Sequence, residues 1–526
     1  MEYRLGLSSL LFLTFIIAFL IAGLSSLTRL TAWIYTFSLL PSYYIIYESW
    51  IYPFYISPLR YVPTVPGFPL WGQTLAIITE EVGVPQRRWH KQHGPIIRYF
   101  VLFMTRVSIS DDEALKQITI RQPYRWQKTP SQRKILFPFL GDGILLAEGD
   151  DHAQQRKALA PAFSISSIKA LSPIFWRKAL LLSKLWRAEL GKGNTSIEVL
   201  QWLNSTTLDI IGEAGFGVRL DTLNHPESAM KLAYERFFRF ENWDRLYHGL
   251  AGQTTLAKYL PMKTKHENVA AAQTVVNIAS EIIHDKSKHS NSSSEKDILA
   301  LMMRENAGNG RMTFQVMRDN LLTFLGAGHD TTAAGVAWTL HLLAKYPSTQ
   351  EKLRREIQDY MPFLFSHDRE DELSDIDEDR LSYLNNVCRE SLRYIPPVPL
   401  AVRQNFAEEQ LCGYRIPAGT MVCMFANTIN RVPEFWGDTA DVFDPDRWDH
   451  LPETYTANAY MTFLHGPRGC IGKKFAETEM KTLLCCLLSM YRFDIDDSVD
   501  DPENSKMWRI TLRPKDGITL KVTLLE

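Results

Sequence analysis

A chain of 526 residues, 45% of them hydrophobic and with a formal net charge of −1, can bury a large core and offers no bulk charge for nucleic acid or another strongly charged partner. All its cysteines (Cys388, Cys412, Cys423, Cys470, Cys485 and Cys486) lie in the C-terminal third and none forms a C-x-x-C pair, which argues against a disulfide framework and a structural zinc site and fits a reducing compartment. Length alone points to roughly two to four domains.

From Leu5 to Thr28 no residue is charged. As a helix this run would be about 36 Å long, enough to cross a hydrocarbon core of ~30 Å. It exceeds the apolar stretch of a cleaved signal peptide, so an uncleaved transmembrane helix over about 5–28 is expected. A second apolar segment, 30–47, follows Arg29 and carries Pro41 and several aromatics suited to a membrane interface; spanning, re-entry and lying flat are all open to it, so the anchor is single-pass or has a second membrane-associated segment. Residues 1–50 therefore read as a membrane anchor. Residues 51–72 include Pro63, Pro66 and Pro69 and read as a proline-rich hinge. Past residue 73 the apolar period is mostly helical, with short strand-like pieces near 95–110, 401–425 and 508–526. The body, 73–526, is expected to be mainly α with a small β part. Residues 284–297 read as a polar loop and 368–380 as an acidic connector. No G-x-G-x-x-G opens a helix after a strand and no G-K-[ST] phosphate loop occurs, which disfavours hydride enzymes and NTPases built on those folds.

Three stretches carry chemistry. In LLTFLGAGHDTTAAGVAW (321–338), within a helical run from about Thr313 to Lys345, Gly326 and Gly328 each cost a helix interior ~1 kcal/mol relative to alanine. Asp330, Thr331 and Thr332 set polar groups into the same apolar helix, and such local inconsistency marks a site. Ala327 and Thr331 share a face, where the threonine hydroxyl can bond back to carbonyl 327 and open a groove; a plain packing notch is the other reading. In RESLRYIPPVP (389–399), Glu390 and Arg393 are adjacent on one helix face. Alone, such a pair is as a rule a surface ion pair worth under ~1 kcal/mol. In FLHGPRGCIG (463–472), Cys470 stands just before a helical run whose N-terminus favours a thiolate. Gly466 and Gly472 admit something flat and bulky, and Arg468 offers a cation to something anionic. Those are the needs of a haem: a thiolate for the iron, close backbone and a base for a propionate. A buried structural cysteine, as expected for Cys485 and Cys486, and a nucleophile beside His465 are the alternatives.

FLHGPRGCIG, through Phe463, Gly466, Arg468, Cys470 and Gly472, resembles the haem-ligand loop of the cytochrome P-450 superfamily of haem-thiolate monooxygenases. The family's other landmarks follow in order from about residue 60 to the C-terminus. The resemblance implies one large haem domain with the cytochrome P-450 fold, haem b as cofactor, and Cys470 as its axial ligand. It implies that Asp330 and Thr331 deliver protons for oxygen activation. It also implies that Glu390, Arg393 and the Arg447 of FDPDRW form a buried structural ion network. Arg156 and Arg403 match contacts to the haem propionates, and His152 stands where the family usually has tryptophan but can still donate a hydrogen bond. Substrate contacts are implied in 130–146, 321–332 and Val398 to Ala401; their apolar residues imply an apolar organic substrate. With no flavin or nicotinamide motif in the chain, a separate NADPH-dependent cytochrome P-450 reductase is the implied electron partner. The motif wording and long anchor look like fungal microsomal members, bound to the endoplasmic reticulum with a cytosolic catalytic domain, many of which tailor secondary metabolites. Two rival functions stand beside this one: a same-fold enzyme that rearranges or dehydrates without O2, and a non-catalytic membrane haem-binding protein.

Overall fold

The computed structural model describes residues 46–525 apart from 69–70, 102–103, 239–262, 290–295, 310–311, 366–379 and 509. The expected membrane segments 5–28 and 30–47 lie outside the described residues, save for Ile46 and Tyr47. Among the described residues no single helix is long and apolar enough to cross a membrane. The stretch expected as a hinge is laid against the body. Helical turns cover Tyr47–Ile56 and Pro58–Tyr61, and Leu59, Val62 and Val65 are buried. The Val65 amide donates to the Arg98 carbonyl (2.9 Å), and the Arg98 amide donates to the Pro63 carbonyl (2.7 Å). Proline-rich chain leaves donors and acceptors free, and here an adjoining strand takes them up.

That strand belongs to a sheet of β1 (Ile96–Val101), β2 (Met104–Ile109), β3 (Trp126–Gln127), β4 (Leu400–Asn405) and β5 (Met421–Phe425), in the order β1-β2-β5-β4-β3. Only the β2–β5 pairing is parallel. Near the C-terminus β6 (Lys506–Trp508) and β7 (Leu512–Pro514) pair as an antiparallel ribbon. A further three-stranded sheet unites Ser196–Glu198, Thr519–Leu524 and Tyr491–Ile495. β1, β2, β4, β5, β7 and Thr519–Leu524 lie in the regions expected to form strands, 95–110, 401–425 and 508–526, whereas β3, Ser196–Glu198 and Tyr491–Ile495 lie outside them.

Six helices position the site: α1 (Pro130–Leu140), α2 (Gly149–Leu159), α3 (Ala229–Phe238), α4 (Phe314–Lys345), α5 (Ser382–Tyr394) and α6 (Lys473–Met490). α1 starts at a capping box in which Thr129 and Gln132 satisfy each other's amides, with Pro130 at the first helical position. α4 starts where the Thr313 hydroxyl accepts the Val316 amide (3.2 Å). From Asp319 to Ala344 it is buried nearly all round, its polar residues Asn320, His329, Asp330 and His341 included, which is the signature of a central helix. Its first half, Leu321 to Leu325, packs into one core with Phe139, Ile211 and Phe475; its second half, Ala333 to Ala344, packs into another with Leu384, Leu392 and Leu483 to Leu488. α6 is buried along the same length, so α4 and α6 are pressed together as two inner helices.

Candidate active site

Within the buried run of α4, Ala327 is exposed and Gly328 and Thr331 are half-buried. Their spacing puts them on one face. The Thr331 hydroxyl donates to the Ala327 carbonyl (2.8 Å), the back-bond expected from the sequence. Gly326 is fixed by packing, since a Cβ there would meet Leu140 Cδ2 of α1 at 2.7 Å. Asp330 faces elsewhere. It is 0% exposed and is held by the Thr511 hydroxyl, which donates to its Oδ2 (2.5 Å), and by an ion pair with Arg513. The expected acid and alcohol are thus neighbours in sequence on different flanks of the helix.

The cysteine loop is brought to this helix by α6. Glu479 of α6 lies buried beside Thr332 of α4, whose hydroxyl donates to the Gly328 carbonyl (3.2 Å), and burial holds the Glu479 carboxyl well above the usual carboxylate range. The loop turns sharply before it. Leu464 adopts φ +55° and Gly466 φ +68°, both in the left-handed region. A Cβ on Gly466 would lie 2.1 Å from the Thr119 carbonyl oxygen, so only glycine fits there. Its small size also serves the turn at Gln117–Arg121 (π-helical). The Cys470 amide donates to the Phe463 carbonyl (2.8 Å) and the Gly469 amide to the Gly466 carbonyl (2.9 Å). At Gly472 an added Cβ would come within 4.0 Å of Cys470 Sγ.

Cys470 is accessible, yet protein surrounds it closely enough that burial pushes its thiol above the ordinary range. The Gly472 amide and the Arg156 cation act in the opposite sense but do not prevail. The thiolate expected at a helix N-terminus is opposed by this burial. The helix begins only at Lys473, so its dipole reaches Cys470 from beyond the first helical position, against desolvation.

A set of cations lies to one side of this loop. Arg468 donates to the Ala147 carbonyl (2.7 Å) and pairs with Glu148, while its Nε–H is buried without a hydrogen-bond partner. Arg403 on β4 is buried and donates to the Val402 carbonyl (2.9 Å). Burial, together with the nearby Arg468, lowers it to about 10. His152 on α2 is buried, meets the Tyr124 hydroxyl through Nδ1 (3.2 Å), and is lowered to about 3 by burial and then by the Arg468 and Lys128 cations, so its ring is neutral. Arg156, one turn later, donates to the Gly469 carbonyl (2.5 Å) and so braces the cysteine loop. Lys128, which sequence reasoning passed over, stands among them. Burial and then the Arg403 cation depress it well below the ordinary lysine range, and Glu148 is 4.0 Å away. Cations that lower one another's affinity for protons, with Glu148 as the carboxylate between them, form a site for further negative charge. Together with the orphaned Arg468 donor, this fits a group bearing carboxylates next to an accessible cysteine.

Glu390 and Arg393 of α5 prove to be no surface pair. Both side chains are 0% exposed and joined by two hydrogen bonds of 2.8 Å. Arg447 Nε (3.1 Å), Trp448 Nε1 (3.1 Å) and the Asp444 amide (2.9 Å) also donate to the Glu390 carboxylate. Arg393 further donates to the carbonyls of Asn430, Ala440 and Val442. Asn430 carries the contact to the cysteine loop: its side chain accepts the Met461 amide (2.8 Å) and donates to the Thr462 hydroxyl (3.0 Å).

A family model described as "Cytochrome P450" matches residues 62–522. The chain is 32% identical to the cytochrome P450 monooxygenase sphH of Aspergillus fumigatus, over 92% of this chain and 91% of that protein. It is 30% identical to the cytochrome P450 monooxygenase ALT8 of Alternaria alternata (89% and 90% covered) and 31% identical to FUM15 of Gibberella moniliformis, also a cytochrome P450 monooxygenase (89% and 88%).

Proposed function

The chain belongs to the cytochrome P450 family of haem monooxygenases, and from that premise we propose that it is a membrane-associated enzyme that oxidises an apolar organic substrate with O2 and electrons from a separate NADPH-dependent reductase. The observation that carries this reading is the accessible Cys470 beside a cluster of buried cations. The family's cofactor is a haem with a cysteine thiolate on its iron, and we assign that ligand to Cys470. Arg403, Arg468, His152 and Lys128 would hold the propionates, while Arg156 steadies the loop that presents the cysteine. Phe463, Gly466 and Gly472 shape that loop. Once bound, the haem supplies the activation of O2.

The chain's own part is to move protons and to exclude water. Thr331 Oγ1, with its hydrogen engaged by the Ala327 carbonyl, keeps its lone pairs for an incoming donor. Asp330, one residue away, is the buried acid that can relay a proton to that face. A positioned acid–base group is worth roughly 10²–10⁴ in rate. Thr331→Ala is therefore expected to lower product formed per NADPH consumed, with hydrogen peroxide making up the difference, while substrate affinity changes little. The assay measures NADPH, peroxide and product in one reaction. Equal product-to-NADPH ratios in the variant and wild type would refute the role, and product formed without NADPH would indicate a rearranging enzyme.

Apolar exposed residues on 130–146, such as Phe137 and Leu145, and Val398 support an apolar substrate. The fungal relatives favour a role in fungal secondary metabolism. Membrane association is supported by the residues just after the expected anchor. Trp50, Tyr55, Phe68, Trp71, Leu75 and Ile78 are all exposed within one short stretch, an apolar surface that water disfavours and a lipid interface accepts. Full-length protein is expected to stay in the membrane pellet after alkaline carbonate washing, still beginning at Met1; release into the supernatant would count against this.

A further inference from the structure

Asp330 is held from outside its own helix. Thr511 donates to its Oδ2 (2.5 Å), Arg513 pairs with its carboxylate, and Arg513 Nε donates to the Thr511 hydroxyl (3.0 Å), closing a triangle. Thr511 is buried and the Arg513 side chain nearly so. Both residues belong to the end of the C-terminal β6–β7 ribbon, which is itself fixed on α4. The Trp338 indole of α4 donates to the Leu512 carbonyl (3.0 Å), and the Leu512 amide donates to the Pro397 carbonyl (2.8 Å) beside the expected substrate segment. Farther along α4, His341 and Lys345 meet Glu503 at 3.3 Å and 2.6 Å, just before the ribbon.

We infer that Arg513 and Thr511 are positioning residues for the oxygen-side proton relay: they keep Asp330 ionised and aimed along the flank of α4. An ionised carboxylate at a fully buried position persists only with a cation and hydrogen-bond donors on it. A carboxyl that has lost them keeps its proton and passes it on reluctantly. Glu198, before helix Val199–Ile210, and Glu235 of α3 also face Arg513. His329, adjacent on α4, is lowered to about 4 chiefly by burial, so it stays neutral and does not replace the lost cation.

The inference rests on the proposed role of Asp330, and the experiment separates the two. Arg513→Gln, Arg513→Lys, Thr511→Val, Asp330→Asn and the Arg513→Gln/Asp330→Asn double variant are compared as full-length haem-loaded enzymes. In Arg513→Gln, infrared spectroscopy is expected to show, beyond the protonated-carboxyl signal that Glu479 contributes to every variant, a further such band near neutral pH that is absent from wild type and from the double variant. Its turnover should fall roughly tenfold between about pH 8.5 and about pH 6.5, where wild type stays level. Arg513→Lys should restore both properties. Thr511→Val, which removes one donor, should show the same change more weakly. Loss of turnover in Asp330→Asn without a new band or pH slope in Arg513→Gln and Thr511→Val would overturn this inference alone. Unchanged turnover in Asp330→Asn would overturn the relay itself. Should Arg513→Gln fail to bind haem, the band and slope of Thr511→Val decide.

Discussion

Glu390→Ala is expected to yield a chain that hardly retains haem and is destabilised by about 3–5 kcal/mol, the cost of leaving buried charge without its partner. Its carboxylate receives Arg393, Arg447, Trp448 and the Asp444 amide, and every one of these donors is lost from it at once. Arg393 would keep only backbone carbonyls, which cannot neutralise a cation. Because Arg393 and Asn430 hold each other and Asn430 holds Met461 and Thr462, the damage should reach the cysteine loop. Glu390→Gln keeps the shape but not the charge and should fall between. Chemical unfolding and haem content per chain are the two measurements. An unfolding free energy within ~1 kcal/mol of wild type in Glu390→Ala would contradict the network's structural role.

This network shows how far the sequence could be read. As a pair three residues apart, Glu390 and Arg393 resemble a common surface contact; only the distant Arg447 gives them a buried partner. The long helix was legible because its cap, Thr313, and its apolar residues agree over many turns, and the structure starts it at Phe314. Thr331 was legible for the same reason, through the face it shares with Ala327. The cation cluster was not legible as a whole. Lys128, Tyr124 and Glu148 are isolated polar residues in short connecting segments. Their meaning arises when β3 pairs with β4 and carries the chain at Gln127 to the strand that holds Arg403. Arg513 and Thr511 were missed likewise, because nothing near them in sequence marks a proton relay. At Cys470 a local dipole is visible in sequence, whereas the burial that opposes it depends on the whole fold.

That opposition makes Cys470 the decisive residue. Burial pushes its thiol up, and a metal bound at the sulfur would favour the thiolate. Cys470→Ser or Cys470→His should therefore leave the fold intact while lowering product formation by ~10²-fold or more, since the thiolate ligand favours cleavage of the O–O bond. The most direct measurement is the absorbance of reduced protein with carbon monoxide. Wild type should show the red-shifted band of thiolate ligation, and Cys470→His should still bind haem but lose that band. A red-shifted band that persists in Cys470→His would contradict the assignment of Cys470 as the axial ligand.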